Sequence, residues 1–140
     1  MIRPGERVFV DTGGWVALAE MRDPLHDRAR SQWERLLGAG ARLVTSVPVI
    51  VETFTFLDRK GSRALALRWK AGLEAVPHLE ILGCSAAELA AAWQYFDRKE
   101  LAKLSLVDAT SFLLMKRHGI RRVLAFDSHF AQAGFRYVDG

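Results

Sequence analysis

The stretch Val8-Phe9-Val10-Asp11-Thr12-Gly13-Gly14-Trp15-Val16-Ala17 decides the fold. Val8-Phe9-Val10 is a short β-branched and aromatic run of the kind found in buried strands, and it ends at an acid. From Thr12 to Glu20 the apolar residues fall at helical spacing, and the Gly13-Gly14 pair lets the chain turn tightly into the helix. A strand that passes at once into a helix is the opening of an alternating chain.

The alternation continues outward. Pro24 opens an amphipathic helix through Leu25, Ala29, Trp33, Leu36 and Leu37, closed by Gly38 and Gly40. Arg42 to Thr45 is a second strand, and Ser46 with Pro48 starts a helix through Ile50, Phe54 and Leu57 to about Gly61. Residues 62–75 form a further helix, 78–84 a third strand, 86–99 an Ala-rich helix and 106–118 another, which Gly119 stops. Val123-Leu124-Ala125-Phe126 is a fourth strand, residues 129–133 a short helix and 135–138 a last strand. Short apolar strands separated by helices predict an α/β domain, with a mostly parallel central sheet of about five strands and helices on both faces.

A chain of 140 residues, 50% hydrophobic and 26% charged, with four Trp and eight Phe, has the composition of one compact domain, here residues 1–140. There is no internal repeat, low-complexity tract or linker to divide it. A net charge of +4 favours a polyanionic partner such as nucleic acid. Cys84 is the only cysteine, which forbids an intramolecular disulfide and fits a reducing compartment, so a cytoplasmic protein is expected. The residues before Val8 are too few and too polar for a signal-peptide core, and no run approaches the ~20 apolar residues of a membrane span.

In parallel sheets ligands bind beyond the carboxyl ends of the strands, so the residues that follow strands carry the functional reading. Asp11 ends the first strand and Asp127 the fourth. Glu52 lies in the first turns of the helix after the second strand, and Asp108 in the first turn of the helix before the fourth. Taken singly, each is an ordinary helix-capping or first-turn acid; Ser105-Leu106-Val107-Asp108 even has the form of a capping box with Asp in place of Glu. Three of the four, however, adjoin segments expected to be buried. Converging carboxylates near a core repel one another and lose hydration, a cost that a divalent cation removes. Hard oxygen donors without a Cys/His cluster point to Mg²⁺, with Mn²⁺ as a substitute, rather than zinc. His26, His78, His118 and His129 share no spacing that indicates a common metal, although His129 lies two residues after Asp127.

The Asp11-Thr12 opening, the mid-chain Glu52, the segment Leu104-Ser105-Leu106-Val107-Asp108-Ala109-Thr110-Ser111-Phe112 and the ending Ala125-Phe126-Asp127-Ser128-His129-Phe130 together resemble PIN domains of the VapC family. Their order and spacing cover essentially the whole chain. The resemblance implies a metal-dependent ribonuclease, the toxin of a toxin-antitoxin pair, in which Asp11, Glu52, Asp108 and Asp127 bind metal and act in catalysis. Thr12 and Ser128 would assist. It also implies in-line hydrolysis leaving a 5′-phosphate and a 3′-hydroxyl, a VapB-like antitoxin laid over the site, and a homodimer. This chain departs from many relatives in carrying Ser128 and Leu101 where further acids stand, which bears on a second metal position.

Basic side chains are candidates to guide RNA: Arg59, Lys60, Arg63, Arg68 and Lys70 around one helix pair, and Lys116, Arg117, Arg121 and Arg122 before the fourth strand. The four Trp residues fall at helical spacings expected of a core or an interface rather than of base-stacking platforms. Among rival functions, an aspartyl phosphatase of the haloacid-dehalogenase type wants a second Asp where Gly13 stands, and Asp11-Thr12-Gly13-Gly14-Trp15 lacks dinucleotide-binding Gly spacing. The rival from another class is a non-catalytic PIN-like RNA-binding or scaffolding domain.

Overall fold

The structure is a computed structural model and describes residues 1–139. Five strands form one sheet, β1 (Arg7–Val10), β2 (Arg42–Ser46), β3 (Glu80–Leu82), β4 (Arg122–Leu124) and β5 (Arg136–Tyr137), in the order β3-β2-β1-β4-β5. Every pairing is parallel, with Phe9 beside Val44 on one side and beside Val123 on the other. Val8, Phe9 and Val10 are fully buried, and successive strand residues face opposite sides, so both faces of the sheet are covered.

The helices are α1 (Thr12–Ala19), α2 (His26–Gly38), α3 (Val47–Phe56), α4 (Arg63–Glu74), α5 (Ala86–Ala92), α6 (Leu106–Arg117) and α7 (His129–Gln132). Ser46, Ser62, Ser85 and Ser105 cap α3 to α6 by accepting the backbone N–H three residues on. Among the described residues no helix is long and apolar enough to cross a membrane.

The chain leaves β1 for β2 on one side, while β4 pairs on the other, so the strand order reverses at the carboxyl end of β1. That reversal opens a crevice between the first turn of α1 and the loop after β4. Gly14 sets its width: a Cβ there would lie 2.6 Å from the Leu124 carbonyl oxygen and 2.5 Å from its Cδ2. The expected tight turn is absent. Neither Gly13 nor Gly14 has positive φ, both lie inside α1, and the role of the pair is close approach.

Other boundaries differ from expectation for local reasons. Asp23 Oδ1 accepts the Leu25 N–H at 2.8 Å, so Pro24 sits in a turn and α2 starts at His26. The Ala-rich helix ends at Ala92 and continues as 3₁₀ turns over Trp93–Asp97 and Lys99–Leu101. The π-turn Leu57–Gly61 separates α3 from α4. β4 stops at Leu124 because its last partner on β1 is Val10, and Ala125 and Phe126 have left the ladder. Asp127 therefore stands on a loop rather than at the strand end.

Trp15, Trp33 and Trp69 pack together, with ring centroids 5.6 and 6.0 Å from that of Trp15. Trp93 lies outside this core: it is 53% exposed and packs on Phe96. Arg122 is not available to RNA either. It is buried, donates to Glu6 at 3.0 Å and to the Tyr137 carbonyl at 3.1 Å, and ties the start of β4 to the N-terminal segment.

Candidate metal centre

Asp11 is the first residue beyond β1. Its backbone N–H donates to the Leu124 carbonyl at 3.2 Å, and its carbonyl accepts the Trp15 N–H at 3.0 Å, which fixes it between strand and helix. The Trp15 indole donates to the Thr45 hydroxyl at 3.1 Å, and that hydroxyl donates to the Val10 carbonyl at 3.0 Å, bracing the turn from behind. The carboxylate is 2% exposed, and its Oδ1 has no hydrogen-bond partner. The neighbouring Thr12 hydroxyl oxygen is likewise buried and unpartnered.

Asp108 comes from the first turn of α6. Its backbone N–H donates to Ser105 Oγ at 3.0 Å, the expected cap, while the carboxylate is buried against the other acids. Asp127 is more open, with its side chain 40% exposed, and Oδ1 accepts the His129 N–H at 2.9 Å. The capping role read for Asp127 thus exists alongside its place in the cluster. Glu52, half-buried on α3, raises the proton affinity of Asp11 and Asp108 less than Asp127 does, consistent with a place at the rim.

The electrostatics follow from this crowding. Burial, then the Asp108 and Asp127 charges, push the Asp11 pKa well above the usual carboxylate range, and the Thr12 backbone N–H pulls the other way without prevailing. Burial, then Asp127 and Glu52, raise Asp108 to about 6, against the opposing pull of His129 and Ser105. No Lys or Arg forms an ion pair with Asp11, Glu52, Asp108 or Asp127 among the described residues. A buried carboxylate oxygen without a donor, surrounded by like charges, fits a hard divalent cation.

Two contributors were not assigned roles from sequence. His129 places Nδ1 3.5 Å from Asp108 Oδ2 and 3.9 Å from Asp127 Oδ1. The Tyr137 hydroxyl on β5 donates to the Asp127 carbonyl and accepts the Ala131 N–H at 3.2 Å, clamping the loop that carries Asp127. The His129 signal was its distance of two residues from Asp127; nothing local marks Tyr137, whose partners depend on strand pairing. Ser128 is exposed, and its hydroxyl does not cap α7.

Residues 8–136 match the PIN domain family. The chain is 36% identical over 129 residues to the 23S rRNA-specific endonuclease VapC20 of Mycobacterium tuberculosis, covering 91% of this chain and 95% of that protein. It also superposes on the crystal structure of M. tuberculosis VapC20, described as a Sarcin-Ricin loop cleaving toxin, with a TM-score of 0.80, 32% identity and 91% and 95% coverage. VapBC2 from Rickettsia felis, solved bound to a DNA fragment from its promoter, shares the fold with a TM-score of 0.67 at 12% identity, covering 94% and 96%. The chain belongs to the PIN domain family. Within that family it is a VapC-type ribonuclease.

Proposed function

We propose that this ribonuclease binds Mg²⁺, or Mn²⁺ in its place, through Asp11, Asp108 and Asp127, with Glu52 completing the catalytic set, and cuts a structured loop of large-subunit ribosomal RNA. The observation that carries the site assignment is the buried, unpartnered Asp11 Oδ1, on a carboxylate whose proton affinity the Asp108, Asp127 and Glu52 charges raise. The donor set is of hard oxygens, as such an ion requires. The RNA assignment is supported by the similarity to VapC20.

A divalent ion held there supplies Lewis acidity to the phosphate and lowers the pKa of water. Asp11 and Asp108 are fixed by a strand end and a helix start, so they orient rigidly, with Thr12 beside Asp11 and Ser128 beside Asp127 as assisting hydroxyls. Glu52, at the rim, accepts the proton of the attacking water. The water oxygen bonds to phosphorus as the bond to the 3′-oxygen breaks. The products are a 5′-phosphate and a 3′-hydroxyl, and no 2′-hydroxyl takes part.

The same reading includes a VapB-like antitoxin. An open apolar groove of about 640 Å³ runs beside Glu52, lined by Val47, Val51, Phe56 and Val107, and it suits an apolar segment that would cover the site. A homodimer is part of the proposal as well, supported by exposed Leu89, Trp93 and Phe96 along α5 and its following turn. The test is cleavage of ribosomal RNA by the purified chain in Mg²⁺, with sequencing of the ends. Expected are EDTA-sensitive cuts with 5′-phosphates. Cleavage that persists in chelator and leaves 2′,3′-cyclic phosphates overturns the mechanism, and RNA binding without any cleavage supports the scaffold alternative.

A further inference from the structure

We propose that Asp108, Asp127 and His129 form a mixed oxygen and nitrogen metal position, in which His129 binds through Nδ1 and tilts the centre toward first-row transition ions over Mg²⁺. The inference rests on the metal-dependent reading above and adds a ligand to it. One ligating atom from each of the three residues lies within 4.8 Å of the others. Ligands at about 2.1 Å around an octahedral ion are separated by about 3 Å when adjacent and about 4.2 Å when opposite. The distances from His129 Nδ1, 3.5 Å to Asp108 and 3.9 Å to Asp127, lie between those two values, so side-chain closure of about 0.5–1 Å brings the three atoms to adjacent coordination positions.

The tautomer follows from the other side of the ring. His129 Nε2 lies 2.9 Å from the Ala102 carbonyl oxygen. A carbonyl only accepts, so Nε2 carries a hydrogen, which leaves Nδ1 as the ring nitrogen on the side of the carboxylates. A metal-bound histidine commonly donates its second N–H to a carbonyl in this way. Nδ1 is buried and has no hydrogen-bond partner. A second unpartnered buried atom, Asp11 Oδ1, belongs to a carboxylate that feels the Asp108 and Asp127 charges. The loop that carries the ring is held as well: the His129 backbone N–H donates to Asp127, and the Tyr137 hydroxyl bridges the Asp127 carbonyl and the Ala131 N–H.

The rival role for His129 is an imidazolium that offsets the acids without touching an ion. In that case Nδ1–H would seek a hydrogen bond, yet both carboxylate oxygens lie at or beyond the limit for one. An imidazole ligand discriminates because Mg²⁺ strongly favours oxygen donors, whereas transition ions accept nitrogen. It also supplies a protein ligand where the chain carries Ser128 instead of an acid.

The experiment is pulsed EPR of the full chain loaded with one equivalent of Mn²⁺, paired with calorimetric titrations of Mn²⁺ and Mg²⁺. The wild type should show a directly bound ¹⁴N coupling that His129→Ala abolishes. The variant's affinity for Mn²⁺ should fall about tenfold or more while that for Mg²⁺ falls much less. His129→Asn, which keeps a polar atom near the Nδ1 position, should lose the coupling and retain the fold. Tight Mn²⁺ binding without a nitrogen coupling, or with one that survives His129→Ala, overturns the ligand assignment and leaves the ribonuclease reading standing. Failure to bind Mn²⁺ at all overturns both.

Discussion

The two ends of β1 are only a few residues apart and obey opposite electrostatic rules. At the amino end, Glu6 meets Arg122 at 3.0 Å, and Arg7 donates to Glu80 at 3.4 Å and to the His118 carbonyl. Burial raises the Glu6 pKa, but the Arg3 N–H and the Arg122 guanidinium outweigh it and hold the group below the usual range. At the carboxyl end, Asp11 is pushed upward by burial and the Asp108 and Asp127 charges, and Asp108 by burial, Asp127 and Glu52, with no Lys or Arg paired to either among the described residues. One end spends its charges on holding the fold together. The other keeps them uncompensated, at a cost to stability, in a crevice created by the strand order.

The largest expected effect separates the ends by activity. Asp11→Asn and Asp108→Asn should each lower single-turnover RNA cleavage by roughly 10²–10⁴-fold, the range seen when a positioned catalytic group is lost. Glu6→Gln, at the other end of the strand, should leave the rate within about twofold of the wild type, because substitutions at a structural pair act through stability rather than turnover. A comparable loss in Glu6→Gln, measured on folded protein, would erase the distinction.

Stability should divide them the other way. Arg122→Ala strips the buried end of its compensating charge and should cost about 3 kcal/mol, read from the urea midpoint. Gly14→Ala should cost about 1–3 kcal/mol by forcing a methyl into the Leu124 carbonyl. Asp108→Asn should instead stabilise the metal-free protein at neutral pH, since it removes a like charge. Destabilisation by Asp108→Asn in EDTA would show that its capping role outweighs the repulsion.

These assignments differ in how far the sequence reveals them. The position of Asp11 just beyond β1 was legible because an apolar run, an acid and a helix start are consecutive, and that of Asp108 in the first turn of α6 because Ser105 marks the beginning of the helix. Strand alternation likewise exposed the parallel sheet. Gly14 was visible as a glycine but misread, since its function is contact with Leu124, more than a hundred residues away in sequence. The 3₁₀ break at Trp93 and the early end of β4 were hidden for a similar reason. Local propensity at Ala125 and Phe126 continues the strand, but β1 has already turned into α1 and offers no further partner. The His129 tautomer and the Tyr137 clamp depend on carbonyls from other segments and leave no mark in local spacing.

The pH dependence sharpens the contrast further. In the unfolded chain Asp108 titrates near its ordinary 3.8, and in the folded protein near about 6. Below the lower value both states are protonated and no penalty exists. Between the two, the folded state retains a proton that the unfolded chain has released, so metal-free stability falls as pH rises. Asp11, which burial and the Asp108 charge also raise, contributes a decline of the same sign. The melting temperature of Asp108→Asn relative to wild type in EDTA should therefore rise from pH 4 to pH 6, corresponding to on the order of 1 kcal/mol. Saturating Mg²⁺ should reverse the order, adding about 2.7 kcal/mol to the wild type at one hundred times Kd. Glu6→Gln should show the opposite trend, losing relative stability as pH rises through the carboxylate range. A gap between Asp108→Asn and wild type that stays constant from pH 4 to pH 7 would contradict the repulsive cluster.

The smallest effect concerns how RNA reaches the acidic end at all. A cluster of carboxylates repels phosphate until an ion is bound, so attraction has to come from nearby cations that are not already engaged. Arg63 is paired with Asp58, Lys70 with Glu74 and Arg117 with Glu88, whereas Arg59 and Lys60 have no ion pair among the described residues. Arg59 and Lys60 also line the groove that contains Glu52, which puts them beside the cleft. If each neutralises one phosphate, Arg59→Ala and Lys60→Ala should each reduce the slope of log affinity against log salt by about 0.7, the single-strand value per contact. The rate at saturating RNA should stay unchanged, because neither residue touches the reacting phosphate. Arg63→Ala should alter the slope less, since its charge is already offset by Asp58. Equal slope changes for all three variants in filter-binding titrations would mean that RNA senses the net charge of this face rather than the two unpaired cations.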